Sequence, residues 1–142
     1  SIYDKGDRVE KNFDYAFKWY KTAAKNGKRE AQSRLGMIYT QGSKKDYSKA
    51  FKWFRRAAKR GDANAQFHLG RLYEAGDGID KNLERAAKWY HMAADQNHSK
   101  AQANLGWMYI NGAGVKEDLD EAEKWYKRSE SSGKYTRKKA RN

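Results

Sequence analysis

One phrase of twelve residues occurs four times in this chain, and the repetition limits the possible folds more than any other feature. The copies are AFKWYKTAAKNG (16–27), AFKWFRRAAKRG (50–61), AAKWYHMAADQN (86–97) and AEKWYKRSESSG (122–133). Their tryptophans, Trp19, Trp53, Trp89 and Trp125, are 34, 36 and 36 residues apart. A period of this length indicates a stack of similar supersecondary units and not one closed bundle.

A second phrase precedes three of these copies, as AQSRLGMIY (31–39), AQFHLGRLY (65–73) and AQANLGWMY (101–109). Its apolar residues, such as Ala65, Leu69 and Leu72, recur at helical spacing, and so do Trp19 and Ala23 in the first phrase. These apolar positions are expected to face the core. The sequence therefore predicts an all-α, right-handed α-solenoid of helix–turn–helix hairpins, with a half-repeat before three full repeats.

Glycines mark the ends of the predicted helices. Those ending first helices are Gly42, Gly76 and Gly112, and those ending second helices in the left-handed conformation are Gly27, Gly61 and Gly133, with Asn97 in one repeat. Gly36, Gly70 and Gly106 instead lie inside the first helices, where each glycine costs about 1 kcal/mol relative to alanine. We expect the tryptophan of a neighbouring helix to pack where each missing Cβ would be.

Alanine pairs in the second helices are expected to let the next hairpin approach closely. They are Ala23–Ala24, Ala57–Ala58 and Ala93–Ala94. The last copy has Ser129–Glu130 at this position. Because burying an unpaired carboxylate is costly, we expect no further hairpin to pack there.

The predicted organisation is a single repeat domain over 1–133 and a basic tail over 134–142. The domain divides into a partial repeat (1–30) and full repeats (31–64, 65–100 and 101–133). YDKG (3–6) matches the end of a first helix, so the next helix is expected over 12–26. Its apolar side, with Phe13, Phe17 and Tyr20, is then partly uncovered. We expect upstream repeats or a second copy to cover it.

Together, A-x3-LG-x2-Y-x2-G and A-x2-W-Y-x2-A-A-x2-G resemble the Sel-one-like repeat, a relative of the tetratricopeptide repeat. The connecting loops EAGDGIDKN (74–82) and INGAGVKED (110–118) are similar to the family loop, whereas TQGSKKD (40–46) is two residues shorter. The resemblance covers residues 1 to 133. It implies a non-catalytic adaptor that binds other proteins on a concave groove.

The concave groove is expected to be lined by solvent-facing residues of the first helices. These candidates are Ser33, Met37, Thr40, Phe67, Arg71, Glu74, Ala103, Trp107, Ile110 and Asn111. Core positions should be alike between repeats, whereas binding positions should differ. Met37, Arg71 and Trp107 share one register with three chemistries, and interfaces concentrate binding energy in Trp, Tyr and Arg. The alternative for Trp107 is packing against the last hairpin or the tail.

Positive charge supplies a second hypothesis. The net charge is +13, and residues 1–64 hold 17 basic and 7 acidic side chains. A basic ridge along the second helices is predicted from Lys18, Lys52, Arg55, Arg56, Lys59 and Arg60. It is either an ordinary solvated face or, with the tail, a surface that binds an acidic protein, an anionic membrane or nucleic acid. Nucleic acid is disfavoured because no aromatic residues interleave with the ridge.

Catalytic chemistry finds little support in the sequence. The chain has no cysteine and three histidines, His68, His91 and His98, which occupy different registers without a partner at ligand spacing. GDG (76–78) and GAG (112–114) lack the preceding strand and third glycine of a phosphate loop, so they indicate turns. We expect no enzyme activity, no cofactor and no metal.

The cellular compartment stays open on this sequence. No apolar run is long enough to cross a membrane, and no signal-peptide pattern is present. A cytoplasmic location and, after removal of an upstream signal, a periplasmic or secreted one both remain expectations.

Overall fold

The computed structural model describes residues 2–141, with side chains from 11 to 133. Over that span the chain forms seven α-helices and no strand. The helices are α1 (Ile2–Lys25), α2 (Arg29–Ile38), α3 (Tyr47–Lys59), α4 (Ala63–Ala75), α5 (Leu83–Asp95), α6 (Ser99–Asn111) and α7 (Leu119–Arg141), with a short 3₁₀ helix at Gly42–Lys44. Each helix packs on the next one in the chain, which confirms an α-solenoid of hairpins.

A glycine in each first helix receives an aromatic ring from the second helix of the same hairpin. A Cβ on Gly36 would lie 2.6 Å from the Phe54 ring, and one on Gly70 would lie 2.8 Å from the Tyr90 ring. At Gly106 the ring belongs to Tyr126. The expectation of a ring at this place is confirmed, but its assignment to tryptophan is wrong. In these three hairpins the ring belongs to the residue that follows the tryptophan.

The alanine pairs do let successive hairpins approach closely, as expected. Ala57, Ala58, Ala93 and Ala94 are fully buried. A glutamine of the next first helix reaches across each pair and donates a hydrogen bond to a backbone carbonyl. These bonds run from Gln32 to Ala24 at 3.1 Å, from Gln66 to Ala58 at 3.1 Å and from Gln102 to Ala94 at 3.0 Å. The glutamines of the AQ phrases therefore join one hairpin to the next.

Helix ends follow the predicted glycine pattern with two exceptions. Left-handed residues follow α4 and α6 at Gly76 and Gly112, as expected, and Gly27, Gly61 and Asn97 also have positive φ. Gly42 has the predicted positive φ, but its prediction as the end of α2 is wrong, because α2 already ends at Ile38 and Gly42 opens the 3₁₀ helix of the shorter loop. The prediction for Gly133 is also wrong, because α7 continues through it to Arg141.

The first and last helices are longer than predicted. α1 runs unbroken from Ile2 to Lys25, so YDKG does not end a separate helix. Its only helix-breaking residue is Gly6, which costs about 1 kcal/mol and does not stop a helix by itself. The tail predicted at 134–142 continues α7 up to Arg141, and its side chains lie outside the described part of the structure.

The tryptophans of the repeat differ in burial, and Trp89, expected to face the core, is only partly buried. Trp53 and Trp125 are 6% and 5% exposed, and the Trp125 ring packs edge-on against His91 of α5 at 5.3 Å. Trp19, expected to face the core, is 54% exposed. Phe13 is also exposed, and Phe17 is half-buried. The apolar side of α1 is thus partly uncovered, as predicted; its covering by upstream repeats or a second copy stays a prediction.

The glycine–ring contact predicts opposite effects for one substitution at two places. Gly36→Ala should lower the free energy of unfolding by about 1–3 kcal/mol, because the Phe54 ring is fully buried and has no room to move. Gly133→Ala is the matched control: within the described part of the structure nothing lies within 4 Å of a Cβ placed there, so helix propensity should raise the free energy of unfolding by up to about 1 kcal/mol. Urea denaturation followed by circular dichroism measures both. Equal effects would contradict the packing described here.

The burial of the tryptophans predicts a second pair of unequal effects. Trp53→Ala should lower the free energy of unfolding by about 3–5 kcal/mol, since it removes a buried aromatic side chain. Trp19→Ala should lower the free energy of unfolding by only about 1 kcal/mol, since half of that side chain already faces solvent. The same denaturation experiment compares the two variants. A loss at Trp19 as large as that at Trp53 would show that another part of the molecule covers α1.

Candidate functional site

Two adjoining depressions lie between α2 and α4. One, of about 530 Å³, is lined by Glu30, Ser33, Arg34, Met37, Asp62, Asn64 and His68. The other, of about 250 Å³, lies along Thr40, Gln41, Tyr47, Phe54, Arg71, Leu72, Ala75 and Asp77. Met37 and His68 line both, so the two depressions meet at these side chains. We call the combined feature the α2–α4 groove.

The groove exists because one register holds residues of different sizes. Ser33 in α2, Phe67 in α4 and Ala103 in α6 are equivalent positions. Ser33 is 7% exposed, so the expectation that it faces solvent is wrong, but its side chain is small and borders the open space. Phe67 instead fills the seam toward α6: it is 5% exposed, and its ring stacks on His98 at 4.7 Å. The expectation that Phe67 faces solvent is therefore wrong, because the neighbouring hairpin covers it.

His68 forms part of the groove wall. Its ring stacks on Phe54 at a centroid distance of 5.2 Å. Burial, followed by the positive charge of Arg71, lowers the pKa of His68 to about 4. The side chain is therefore neutral at physiological pH and presents an uncharged ring to the groove.

His98 has a structural role at the start of α6. Its Nδ1 accepts a hydrogen bond from the Ala101 backbone N–H at 3.2 Å, so its Nε2 carries the proton and donates to Asn64 Oδ1 at 3.0 Å. Burial lowers the pKa of His98, which favours this neutral, capping form. His91 lies elsewhere, with Nδ1 3.2 Å from Asp95 Oδ2. The structure thus does not bring the three histidines together as one site.

Charges along the α2–α4 groove are nearly balanced. Arg34 and Arg71 are exposed, and within residues 11–133 neither forms an ion pair. The acidic residues that line the same groove are Glu30, Asp62 and Asp77. Asp62 is already engaged, since its carboxylate accepts the Ala65 N–H at 2.9 Å as the N-cap of α4. The groove therefore has no strong preference for one sign of charge.

The other predicted groove residues are distributed along the first helices. Met37 and Thr40 are half-buried, and both border the α2–α4 groove with Arg71. Glu74 is half-buried and accepts a hydrogen bond from the Tyr90 hydroxyl at 3.1 Å. This contact ties Glu74 to the hairpin interior.

On α6, Trp107 and Ile110 are 49% and 42% exposed. Asn111 is exposed and donates to the Trp107 carbonyl at 2.9 Å. The ring of Trp107 is therefore open to solvent and is not buried against the last hairpin. The alternative that Trp107 packs against the tail concerns residues 134–142, whose side chains lie outside the described part of the structure.

Every member of the predicted basic ridge is exposed, although three have other contacts: Lys52 Nζ lies 5.7 Å from the Trp53 ring centroid, and Arg56 and Arg60 also have partners. The Arg56 guanidinium lies 4.8 Å from the Trp53 ring centroid, and Arg60 donates to the backbone carbonyl of Gly27. In the next repeat Gln96 makes the same bond, to the Gly61 carbonyl at 3.0 Å. On α7 the nearby lysines pair with acids, as in Lys127 with Glu123 at 2.9 Å. The ridge is thus most strongly positive along α3.

The turn interpretation of GDG and GAG is in keeping with the backbone. Gly76 and Gly78, and likewise Gly112 and Gly114, have positive φ. In the described part of the chain, no cluster of three or more His, Cys, Asp or Glu side chains is arranged to hold a metal ion. No helix in that part is long and apolar enough to cross a membrane.

Two features of the site were not identified from the sequence. The sequence predicts no role for His68, yet this residue shares its register with Arg34 and Asn104, and the difference between the repeats is a signal that could have identified it. The AQ glutamines were noticed only as part of the repeated phrase. Their constancy beside a small alanine was the clue to a buried structural bond.

The chain matches the Sel1 repeat family over residues 1–28, 29–62, 63–98 and 99–134. It is similar in structure to a Sel1 repeat protein from Oxalobacter formigenes, with 40% identity over 73% of this chain and 44% of that one, and a TM-score of 0.71. It is also similar to c5321, a protective antigen of uropathogenic Escherichia coli with an SLR fold. That protein is 37% identical over 87% of this chain and 28% of its own, with a TM-score of 0.75.

The chain thus spans less than half the length of both relatives. Cysteine rich protein B of Helicobacter pylori shares the fold at 24% identity, over 88% of this chain and 91% of that one, with a TM-score of 0.71. No curated protein matches the sequence significantly.

The pKa of His68 predicts a loss of stability in mild acid. The unfolded chain takes up a proton near pH 6.5, whereas folded His68 does so only near pH 4. Stability should therefore fall as the pH drops from 6.5 toward 4, by at most about 1.4 kcal/mol per pH unit from this group. His68→Asn, which copies the register residue Asn104, should remove that part of the loss. Urea denaturation at about pH 7 and pH 5 tests this, and an unchanged loss in the variant would contradict it.

Proposed function

The chain belongs to the Sel1 repeat family, whose repeats typically form non-catalytic scaffolds for protein–protein interaction, and we propose that it binds a partner protein along the first-helix face. By the first-helix face we mean the solvent-facing sides of α2, α4 and α6. A preformed face of this kind needs little reorganisation on binding, which favours affinity. In this view, residues that are alike in all repeats form the scaffold, and residues that differ between repeats bind the partner.

The observation that carries the proposal is the register of Met37, Arg71 and Trp107. Three equivalent positions hold a thioether, a guanidinium and an indole, and all three remain at least partly exposed. Trp107 alone leaves about half of a large ring in solvent. Exposed aromatic and arginine side chains of this kind are the usual anchors of protein interfaces.

A comparative capture experiment tests the proposal. An extract of the source organism is passed over immobilised wild type, over Arg71→Ala/Trp107→Ala and over the matched ridge variant Arg55→Ala/Lys59→Ala. We expect proteins that the wild type and the ridge variant retain and that the first-helix variant loses. All four substituted residues are exposed, so folding should be unaffected. Loss on the ridge variant alone would contradict binding on the first-helix face.

Affinity for a captured partner gives the sharper measurement. Trp107→Ala should weaken binding by at least about fivefold, since anchor side chains each contribute more than about 1 kcal/mol. A change within about threefold would contradict a role for Trp107.

The basic ridge supports a second candidate function, the electrostatic binding of nucleic acid or an anionic surface. The observation that favours it is the set of exposed cations along α3 together with the net charge of +13. Salt separates the two candidates. A phosphate binder using about 6–10 contacts should lose about 10³–10⁵ in affinity between about 50 and 200 mM salt. Binding through Trp107 and the nearly balanced groove should lose much less.

A further inference from the structure

The α2–α4 groove differs from the seam between α4 and α6 at two ring positions: Ser33 replaces Phe67, and Asp62, the N-cap of α4, replaces His98, the N-cap of α6. In the α4–α6 seam, Phe67 lies against His98 and is almost fully buried. In the α2–α4 seam, the equivalent residue is Ser33, and a depression of about 530 Å³ remains beside it. Both seams, by which we mean the contacts between neighbouring first helices, are built from the same repeat. The α4–α6 seam, which Phe67 fills, therefore indicates that the α2–α4 seam has room for an aromatic ring.

The walls of the open seam suit an aromatic side chain. Met37 supplies a flexible, polarisable thioether, which makes favourable contacts with rings. His68 supplies a second aromatic surface, already stacked on Phe54. The lining charges are nearly balanced: the groove has two arginines and three acids, of which Asp62 is engaged as a cap. Recognition here therefore depends on the shape and polarisability of the ligand more than on its charge.

We propose that the α2–α4 groove binds an aromatic side chain of the partner protein, in the space that Ser33 leaves open. The partner's ring takes the place that Phe67 takes in the next seam and contacts Met37 and His68. Polar groups beside that ring meet Arg34 at one end of the groove and Arg71 at the other. This inference rests on the proposed function and specifies the chemistry that the first-helix face recognises.

Side-chain analogues are suitable probes because they need no identified partner. p-Cresol and 3-methylindole stand for Tyr and Trp, and 3-methylbutanol serves as the aliphatic comparison. Each is titrated into ¹⁵N-labelled wild type and followed by the amide resonances of α2 and α4. We expect saturable shifts for the two aromatic probes, with dissociation constants on the order of 1 mM, and weaker shifts for the alcohol. Absence of saturable shifts in α2 and α4, or equal binding of the alcohol, would overturn the inference.

Ser33→Phe is the direct test, since it gives α2 the residue that α4 already has. The variant should fill the groove and weaken binding of both aromatic probes by at least about tenfold. Ala103→Phe is the matched control: it makes the same change at the equivalent position of α6, outside the groove, and should bind as wild type does. Unchanged probe binding by Ser33→Phe would overturn the inference.

A second variant protects the test against misfolding of Ser33→Phe. Met37→Arg copies the α4 register residue Arg71 at a half-buried position, so its fold should be retained. It places a charged side chain where the two depressions meet. We expect the same loss of aromatic binding, with a circular dichroism melt matching that of wild type. A folded Met37→Arg that binds the probes normally would also overturn the inference.

The captured partner distinguishes this inference from the proposed function. If the partner is lost by Arg71→Ala/Trp107→Ala and also by Ser33→Phe, both are supported. If it is lost by the first pair but retained by Ser33→Phe, the first-helix face binds the partner without a ring in the groove, and the inference is wrong. If neither variant loses it, the proposed function is wrong, whatever the probes show.

Discussion

The packing of a ring against a missing Cβ holds each hairpin together. Gly36, Gly70 and Gly106 give up helix propensity, and Phe54, Tyr90 and Tyr126 occupy the space. The two helices of a hairpin therefore lie closer together than they could if the glycine were replaced by a residue with a side chain. The burial of Phe54 and Tyr90 is the compensating gain, because large apolar surfaces leave water. Every other feature of the solenoid is built on hairpins fixed in this way.

Stacking of the hairpins depends on a second repeated contact. Alanine pairs let the next first helix approach, and a buried glutamine then donates a hydrogen bond to a buried backbone carbonyl in the last turn of the preceding second helix. A buried donor must find an acceptor, so this bond specifies how far the next hairpin slides along the stack. It thereby fixes the positions of α2 and α4 beside each other. The α2–α4 groove is a consequence of that spacing and of the small side chain at Ser33.

Periodicity in the sequence was enough to predict the hairpins, their order and most helix ends. It could not show which neighbour a side chain meets. A helical wheel placed Phe67 on the same side as Arg71, but only the position of α6 shows that His98 covers its ring. The same limit explains why the ring at Gly70 was assigned to Trp89, one residue away from Tyr90. The repeat pattern also predicts helix ends near Gly6 and at Gly133, but α1 and α7 continue through both positions, so a glycine in the repeat register does not by itself show where a helix ends.

The glycine–ring contact and the glutamine hydrogen bond fix most positions of each repeat. The few positions that remain free to vary are the ones to which we assign binding. An alanine scan of the whole domain, measuring both the free energy of unfolding and the affinity for a captured partner, tests that division most directly. The account predicts that Leu35, Phe54 and Tyr90 change stability, whereas Met37, Arg71 and Trp107 change affinity at nearly constant stability. Affinity that depends on Lys52, Arg55 and Lys59 instead would contradict it.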